Sequence, residues 1–235
     1  MCKTKDSITA PKSPLGDLGV KIMIMLQIKK FEFNLIGENT YVVFDETKEA
    51  VIIDCGAYFP EEKALLKNFI SQNQLSLKHL LNTHLHLDHA FGNKFIYDTY
   101  GIAPEYHQLE EQMPDMQKQA SAFGIKVDEG VLKAARYLEE GDTVSFGNSE
   151  LKVIVIPGHS PASLCFYSEK DKVLFSGDVL FEGSIGRSDL WGGNHQQLIS
   201  GIKNKLLTLP EDTVVYSGHG SETTIKKEKR YNPFL

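Results

Sequence analysis

Residues 83–89 read Thr-His-Leu-His-Leu-Asp-His, directly after a short apolar run, Leu77–Leu81. The run has the length of a buried strand, and Asn82-Thr83 ends it. His84 and His86 are two positions apart, so an extended backbone points both imidazoles the same way and sends Leu85 and Leu87 into the core. Asp88 and His89 follow where the chain turns toward a helix, and can face the same cavity from its other side. Imidazoles crowded at the end of a buried strand repel one another once charged, and a bound cation removes that difficulty.

The same pattern recurs downstream. His159 follows the strand-like LKVIVIPG, Asp178 follows VLFSG and His219 follows TVVYSG. Each time a hydrophobic run ends at a glycine, where the backbone can turn sharply, and then delivers a ligand-type side chain. Strand ends on one edge of a sheet converge, so these residues are expected to meet the 84–89 loop. Five histidines and two aspartates exceed one tetrahedral zinc site and suit two metals sharing a carboxylate. Imidazole and carboxylate without thiolate suit Zn, Fe or Mn.

Around these motifs, Gln27–Phe33 alternates, and residues 39–44 (NTYVVF) and 50–54 (AVIID) flank a charged turn as a hairpin does. Pro60-Glu61-Glu62 opens a helix that runs to about Gln72. The composition of 105–138 reads as mostly helical, broken by Pro114 and Gly124. Strands are expected at 143–146, 151–156, 163–167, 172–176 and 213–216. A Gly-rich loop (183–194) leads to Asn194, an N-cap with Gln197 three residues on, and a helix with an apolar face (Leu198, Ile199, Ile202, Leu206). A polar helix near 223–230 closes the chain. This order suggests two sheets with helices outside them, in one domain spanning 25–235. Residues 1–24 are polar, Pro/Gly-rich and aperiodic, and read as a poorly anchored or disordered extension.

Composition narrows the classes. The 235 residues are 41% hydrophobic and 24% charged, which supports a sizeable core. A net charge of −6 disfavours a nucleic-acid partner. The longest apolar stretch near the N-terminus, Ile22–Ile28, is far short of a membrane span, so no membrane partner is expected. Cys2, Cys55 and Cys165 form neither a disulfide framework nor a CxxC knuckle, so the expected setting is reducing and cytoplasmic.

The HLHLDH motif with His159, Asp178 and His219 resembles the metallo-β-lactamase superfamily across about residues 25–235. SGDVLFEGSIGRSD and the closing GHGSETTIKKEKRYNPFL resemble its glyoxalase II-like (hydroxyacylglutathione hydrolase) branch, in the short bacterial form. The resemblance implies an αββα sandwich, an α/β fold with the metal site at one edge between the sheets. It implies one metal on His84, His86 and His159, a second on Asp88, His89 and His219, and Asp178 as the bridge. The chain departs from the longer glyoxalase II enzymes, whose C-terminal helical domain helps hold glutathione, because few residues follow His219. It departs from many true β-lactamases in carrying Asp178 where they place a Cys ligand.

The activity so implied is hydrolysis of a small-molecule thioester such as S-D-lactoylglutathione. Asp88 and Asp178 are the candidate catalytic residues, with hydroxide shared by two cations as the nucleophile. A thiolate leaves without a strong general acid. Alternatives on the same ligand set are a single-iron persulfide dioxygenase, or a lactonase or phosphodiesterase. Asp54 is either an outer partner of the ligand loop, as the resemblance implies, or an ordinary turn aspartate. Arg187 and Asp189 are expected to pair within their own loop, and Trp191 either lines the pocket mouth or packs its loop. Cys55 and Cys165 read as core residues, and His79, His107 and His195 as histidines outside the site.

Overall fold

The computed structural model describes residues 26–113, 119–121, 124, 125, 127 and 132–235. The reading of 1–24 lies outside them. Two six-stranded sheets face each other. The first takes β1 (Gln27–Phe33), β2 (Glu38–Phe44), β3 (Glu49–Ile53), β4 (Ser76–Leu81), β5 (Pro104–Tyr106) and β6 (Arg136–Tyr137), side by side in chain order. β1, β2 and β3 are antiparallel neighbours, whereas β3 to β6 run parallel. The second sheet is built from β7 (Thr143–Phe146), β8 (Ser149–Ile156), β9 (Ser163–Ser168) and β10 (Val173–Gly177). β13 (Val214–Ser217) and β14 (Thr223–Thr224) extend it beyond β10. A small hairpin, β11 (Leu180–Phe181) and β12 (Ser184–Ile185), stands apart.

The period-two alternation of the strands builds the layers. Tyr41, Val43, Val51 and Ile53 turn inward and meet Val153, Leu164, Phe166 and Phe175 of the second sheet. The intervening residues Val42, Phe44, Ala50 and Ile52 turn outward against Leu66 and Ile70 of α1 (Pro60–Gln72) and Ile96 of α3 (Asn93–Tyr100). Cys165, Tyr167, Leu174 and Val215 face Leu198 of α4 (His195–Gly201), Ile202 just beyond it, and Ile225 of α5 (Ile225–Tyr231). Both faces of each sheet are covered, which explains the continuous apolar runs of β2 and β3. The result is the expected four-layer αββα sandwich, and Cys55 and Cys165 lie in its core.

The segment 105–138 departs from its helical reading. Its described residues form the end of β5, a 3₁₀ turn (Gln108–Gln112) and β6, with helix only at 119–121. Pairing with β4 recruits Pro104–Tyr106 as a strand, because the open edge of β4 needs hydrogen-bond partners whatever the local propensity.

Strand direction places the site. β8 and β10 are each antiparallel to β9, and β13 is parallel to β10, so β8, β10 and β13 point the same way. Their C-terminal ends therefore share one edge of the second sheet. The ends of the parallel strands β3 and β4 lie at the facing edge of the first. Leu164 N–H donates to Thr83 C=O at 2.7 Å and Asn39 N–H to Gly218 C=O at 2.7 Å, joining the two edges. Among the described residues no helix is long and apolar enough to cross a membrane.

Candidate metal centre

β4 ends at Leu81, and the loop after it carries His84 and His86 to the one-turn helix α2 (Leu87–Ala90), which presents Asp88 and His89. His159 follows β8, Asp178 follows β10 and His219 follows β13. All seven side chains converge. Ring nitrogens of His84, His86 and His159 lie within 4.8 Å of one another, as do donor atoms of Asp88, His89 and His219. Asp178 stands between the two groups. Its Oδ2 is 3.6 Å from His159 Nε2 and 3.6 Å from His219 Nε2, and its Oδ1 is 3.4 Å from His89 Nε2. Gly218 makes room for this: a Cβ there would lie 2.2 Å from Asp178 Oδ1.

Four of the five imidazoles are anchored through one nitrogen, which aims the other at the cavity. His89 Nδ1–H donates to Asp54 Oδ2 (3.0 Å), His159 Nδ1–H to Arg187 C=O (2.8 Å) and His219 Nδ1–H to Gly37 C=O (3.1 Å). His84 Nδ1 pairs with Thr83 Oγ1 at 3.0 Å. Such partners fix tautomer and ring orientation. Asp54 is the centre of this support. It is buried, holds a left-handed backbone at φ +50°, and also accepts from Thr83 N–H and Thr83 Oγ1–H.

The donor set fits cations. His89 Nε2 and Asp178 Oδ1 are buried without a hydrogen-bond partner, although buried polar atoms are normally satisfied. His159 Nε2 is 3.2 Å from His84 Nε2 and 3.0 Å from His86 Nδ1, so three ring nitrogens crowd one point. Burial, then the neighbouring rings, holds the His84 pKa well below the ordinary value. Burial, then His159, depresses His86 to about 3. Burial also lowers His159. Burial works against ionised Asp88 and Asp178, yet His89 above all holds both below the usual carboxylate range. Burial opposes the charged form of His89, and Asp178, Asp88 and Asp54 outweigh it and raise its pKa well above the ordinary value. Neutral His84, His86 and His159 beside ionised Asp88 and Asp178 are what a divalent ion requires, whereas His89 and His219 are drawn toward protonation by the carboxylates and would give up that proton to an ion.

A cleft of about 1120 Å³ opens onto the cluster. Leu35, Ile36, Leu87, Phe181, Leu190 and Trp191 line it together with His86, Asp88, His159, Asp178 and His219. Trp191 thus stands at the cleft wall, half exposed. Arg187 does pair with Asp189, through two bonds of 2.8 and 2.9 Å. His79, His107 and His195 are outside the cluster, facing Glu105, Glu139 and Ser188.

Two buried carboxylates beside the centre went unnoticed in the sequence. Glu38 opens β2 with Oε1 unpartnered, close to Asp54 and His89. Glu110 lies within the segment read as helix and bonds to the loops of both sheets. A charged residue beginning an otherwise apolar strand was the available signal for Glu38; Glu110, one of two adjacent glutamates in a polar stretch, carried none.

A model of the metallo-β-lactamase superfamily matches residues 34–219. The chain belongs to that superfamily. Its fold and its cluster are those of a superfamily whose members bind divalent metals, and by family the chain is a metallo-hydrolase. Within the superfamily it is similar to hydroxyacylglutathione hydrolase GloC of Haemophilus influenzae, 37% identical over 203 residues that cover 84% of this chain and 92% of the relative. Among superfamily structures it is similar to the BLEG-1 B3 metallo-β-lactamase, with a TM-score of 0.79, 37% identity, and coverage of 89% of this chain and 99% of the other. It is also similar to TTHA1623 in a di-iron-bound form, with a TM-score of 0.78, 34% identity, and coverage of 88% and 100%.

Proposed function

We propose that the chain hydrolyses a thioester of the S-D-lactoylglutathione type at a binuclear site, zinc being the metal assigned and iron or manganese the alternatives. The observation that carries the reading is the position of Asp178, whose carboxylate faces both groups of ligands. On this reading His84, His86 and His159 would hold one ion and Asp88, His89 and His219 the other, with Asp178 as the ligand that both would share. Two divalent ions supply a lowered pKa for water and polarisation of a carbonyl oxygen.

The chain's own residues do the rest. Asp88 and Asp178, both kept ionised, are the proton acceptors nearest the reacting centre. Asp88 Oδ2 lies 3.2 Å from His219 Nε2, so the two donor atoms face the same point of the cavity. Leu35, Ile36, Leu87 and Trp191 take up the apolar part of the substrate and exclude water around the acyl carbon. The charged cleft residues Arg187 and Glu182 are committed to Asp189 and Lys227, which leaves neither as a general acid. A thiol leaving group, with a pKa of roughly 8.5, departs without one. The likeness to GloC supports the thioester, and the likeness to a di-iron protein supports iron as an alternative metal. A reducing, cytoplasmic setting is part of the reading, supported by Cys55 and Cys165 as buried free thiols.

The likeness to BLEG-1 favours a second reading, hydrolysis of a β-lactam. One experiment separates these. Protein of measured metal content is assayed for hydrolysis of S-D-lactoylglutathione, for hydrolysis of a chromogenic cephalosporin, and for oxygen uptake with glutathione persulfide. Thioester turnover with two equivalents of metal is expected. Oxygen uptake with one equivalent of iron and no hydrolysis overturns the proposal, and turnover of the cephalosporin alone transfers it to the second reading.

A further inference from the structure

Glu110 is none of the seven, yet it touches both strand-end loops that carry His84, His86 and His159. It lies on the 3₁₀ turn after β5 and is 1% exposed. Its Oε2 accepts the N–H of Leu85, the residue between His84 and His86, at 3.0 Å. Its Oε1 accepts the N–H of Ala162 at 2.8 Å and the hydroxyl of Ser160, the residue after His159, at 2.7 Å. Ser160 Oγ is also 2.6 Å from Ser163 Oγ, at the start of β9. One side chain therefore straps the loop of the first sheet to the loop of the second. The backbone bond from Leu164 to Thr83 is a further tie between them.

The chemistry calls for a carboxylate. Both oxygens face donors, and two of the three donors are backbone amides that cannot turn away. A glutamine would set its own NH2 against Leu85 N–H in one orientation, and against Ala162 N–H in the other. A buried carboxylate is costly to desolvate and is retained only where such bonds offset the cost. The second group of ligands is supported differently: Asp54 holds His89 and Gly37 C=O holds His219.

We infer that Glu110 is a positioning residue that sets the separation between His84–His86 and His159, so that the ion held by those three histidines depends on it and the ion held by Asp88, His89 and His219 does not. The inference rests on the binuclear reading above.

The test needs no substrate. Metal-free wild type, Glu110→Gln, Ser160→Ala, His219→Ala and the Glu110→Gln/His219→Ala double variant are titrated with cobalt(II), following visible absorption and heat. Wild type is expected to take two equivalents. Glu110→Gln should keep one at wild-type affinity and bind the other roughly 10- to 100-fold more weakly, the range for partners that orient ligands. His219→Ala should keep the equivalent that Glu110→Gln weakens, and the double variant should keep neither tightly. Ser160→Ala removes one strap bond, leaves Glu110 in place, and should weaken the same equivalent several-fold. It decides the matter should Glu110→Gln not fold. Unchanged affinities in the variants, or equal weakening of both equivalents, overturn the inference while leaving the binuclear reading intact. A wild type that takes only one equivalent sinks that reading; Glu110 then stands only if Glu110→Gln weakens that one.

Discussion

His86 and Asp178 differ in what they contribute. His86 is half-buried at the cleft wall and offers its Nδ1 toward His159, so its loss removes one ligand atom. Asp178 lies between His89, His159 and His219, so its loss affects both groups at once. His86→Ala is expected to lose about one equivalent of metal and Asp178→Ala more than one, each with at least about a 100-fold fall in thioester turnover, beyond the usual effect of an outer partner. Metal analysis beside circular dichroism checks this; the fold should persist, because neither side chain belongs to the hydrophobic clusters. Turnover near wild type in either variant would remove the residue from the site. The histidine loop was legible because six consecutive positions held four ligand residues, three His and one Asp, at a strand end. Glu110 was not, because a carboxylate that acts by accepting backbone amides from two distant loops leaves no local pattern.

Asn194 shows how an element's end can govern a loop beside the site. Its Oδ1 accepts the N–H of Gln197 at 3.0 Å, capping α4, and its own N–H donates to Gly158 C=O at 2.8 Å, next to His159. Asn194→Ala should cost about 1 kcal/mol. For a chain of this size that lowers the melting temperature by roughly 2–4 °C, read by a thermal melt. An unchanged melt would mean that the cap contributes nothing. The cap, the start of α1 at Pro60 and the main strands were readable because their signals are local: a side chain that bonds its own helix, a ring that sets its own φ, an alternation of period two. The strand at 104–106 was not, since pairing with β4 created it. The β11–β12 hairpin that leads into the Gly-rich loop was likewise hidden, its strands being two residues each.

At the scale of the molecule, the centre and His79 both tie one sheet to the other. His79 on β4 bonds Glu105 on β5 and reaches Ser145 C=O on β7 at 3.2 Å. The hydrogen bond that His79 donates to Glu105 raises its pKa, while burial and nearby Arg136 oppose the rise. A group whose folded pKa is raised stabilises fully below its unfolded value, about 6.5, and that contribution fades as pH rises through the folded value. The melting temperature of wild type should therefore exceed that of His79→Gln most near pH 6, with the gap narrowing toward pH 9; a gap independent of pH would refute the charge effect. The seven ligands come from loops of both sheets, so bound ions also join them. With free metal about 100-fold above its dissociation constant, chelation should remove about 2.7 kcal/mol and lower the melt by roughly 5–10 °C for each ion. An unchanged melt on chelation would argue against ions that bridge the sheets. By itself the sequence determined where the main strands lie and which His and Asp residues end them, because each of these is written in neighbouring residues. Only the tertiary structure decided that Asp178 faces both groups, that His89 leans on Asp54, and that Glu110 straps His84–His86 to His159. Those contacts join residues dozens of positions apart, and they arise only when strand direction brings the strand ends to a common edge.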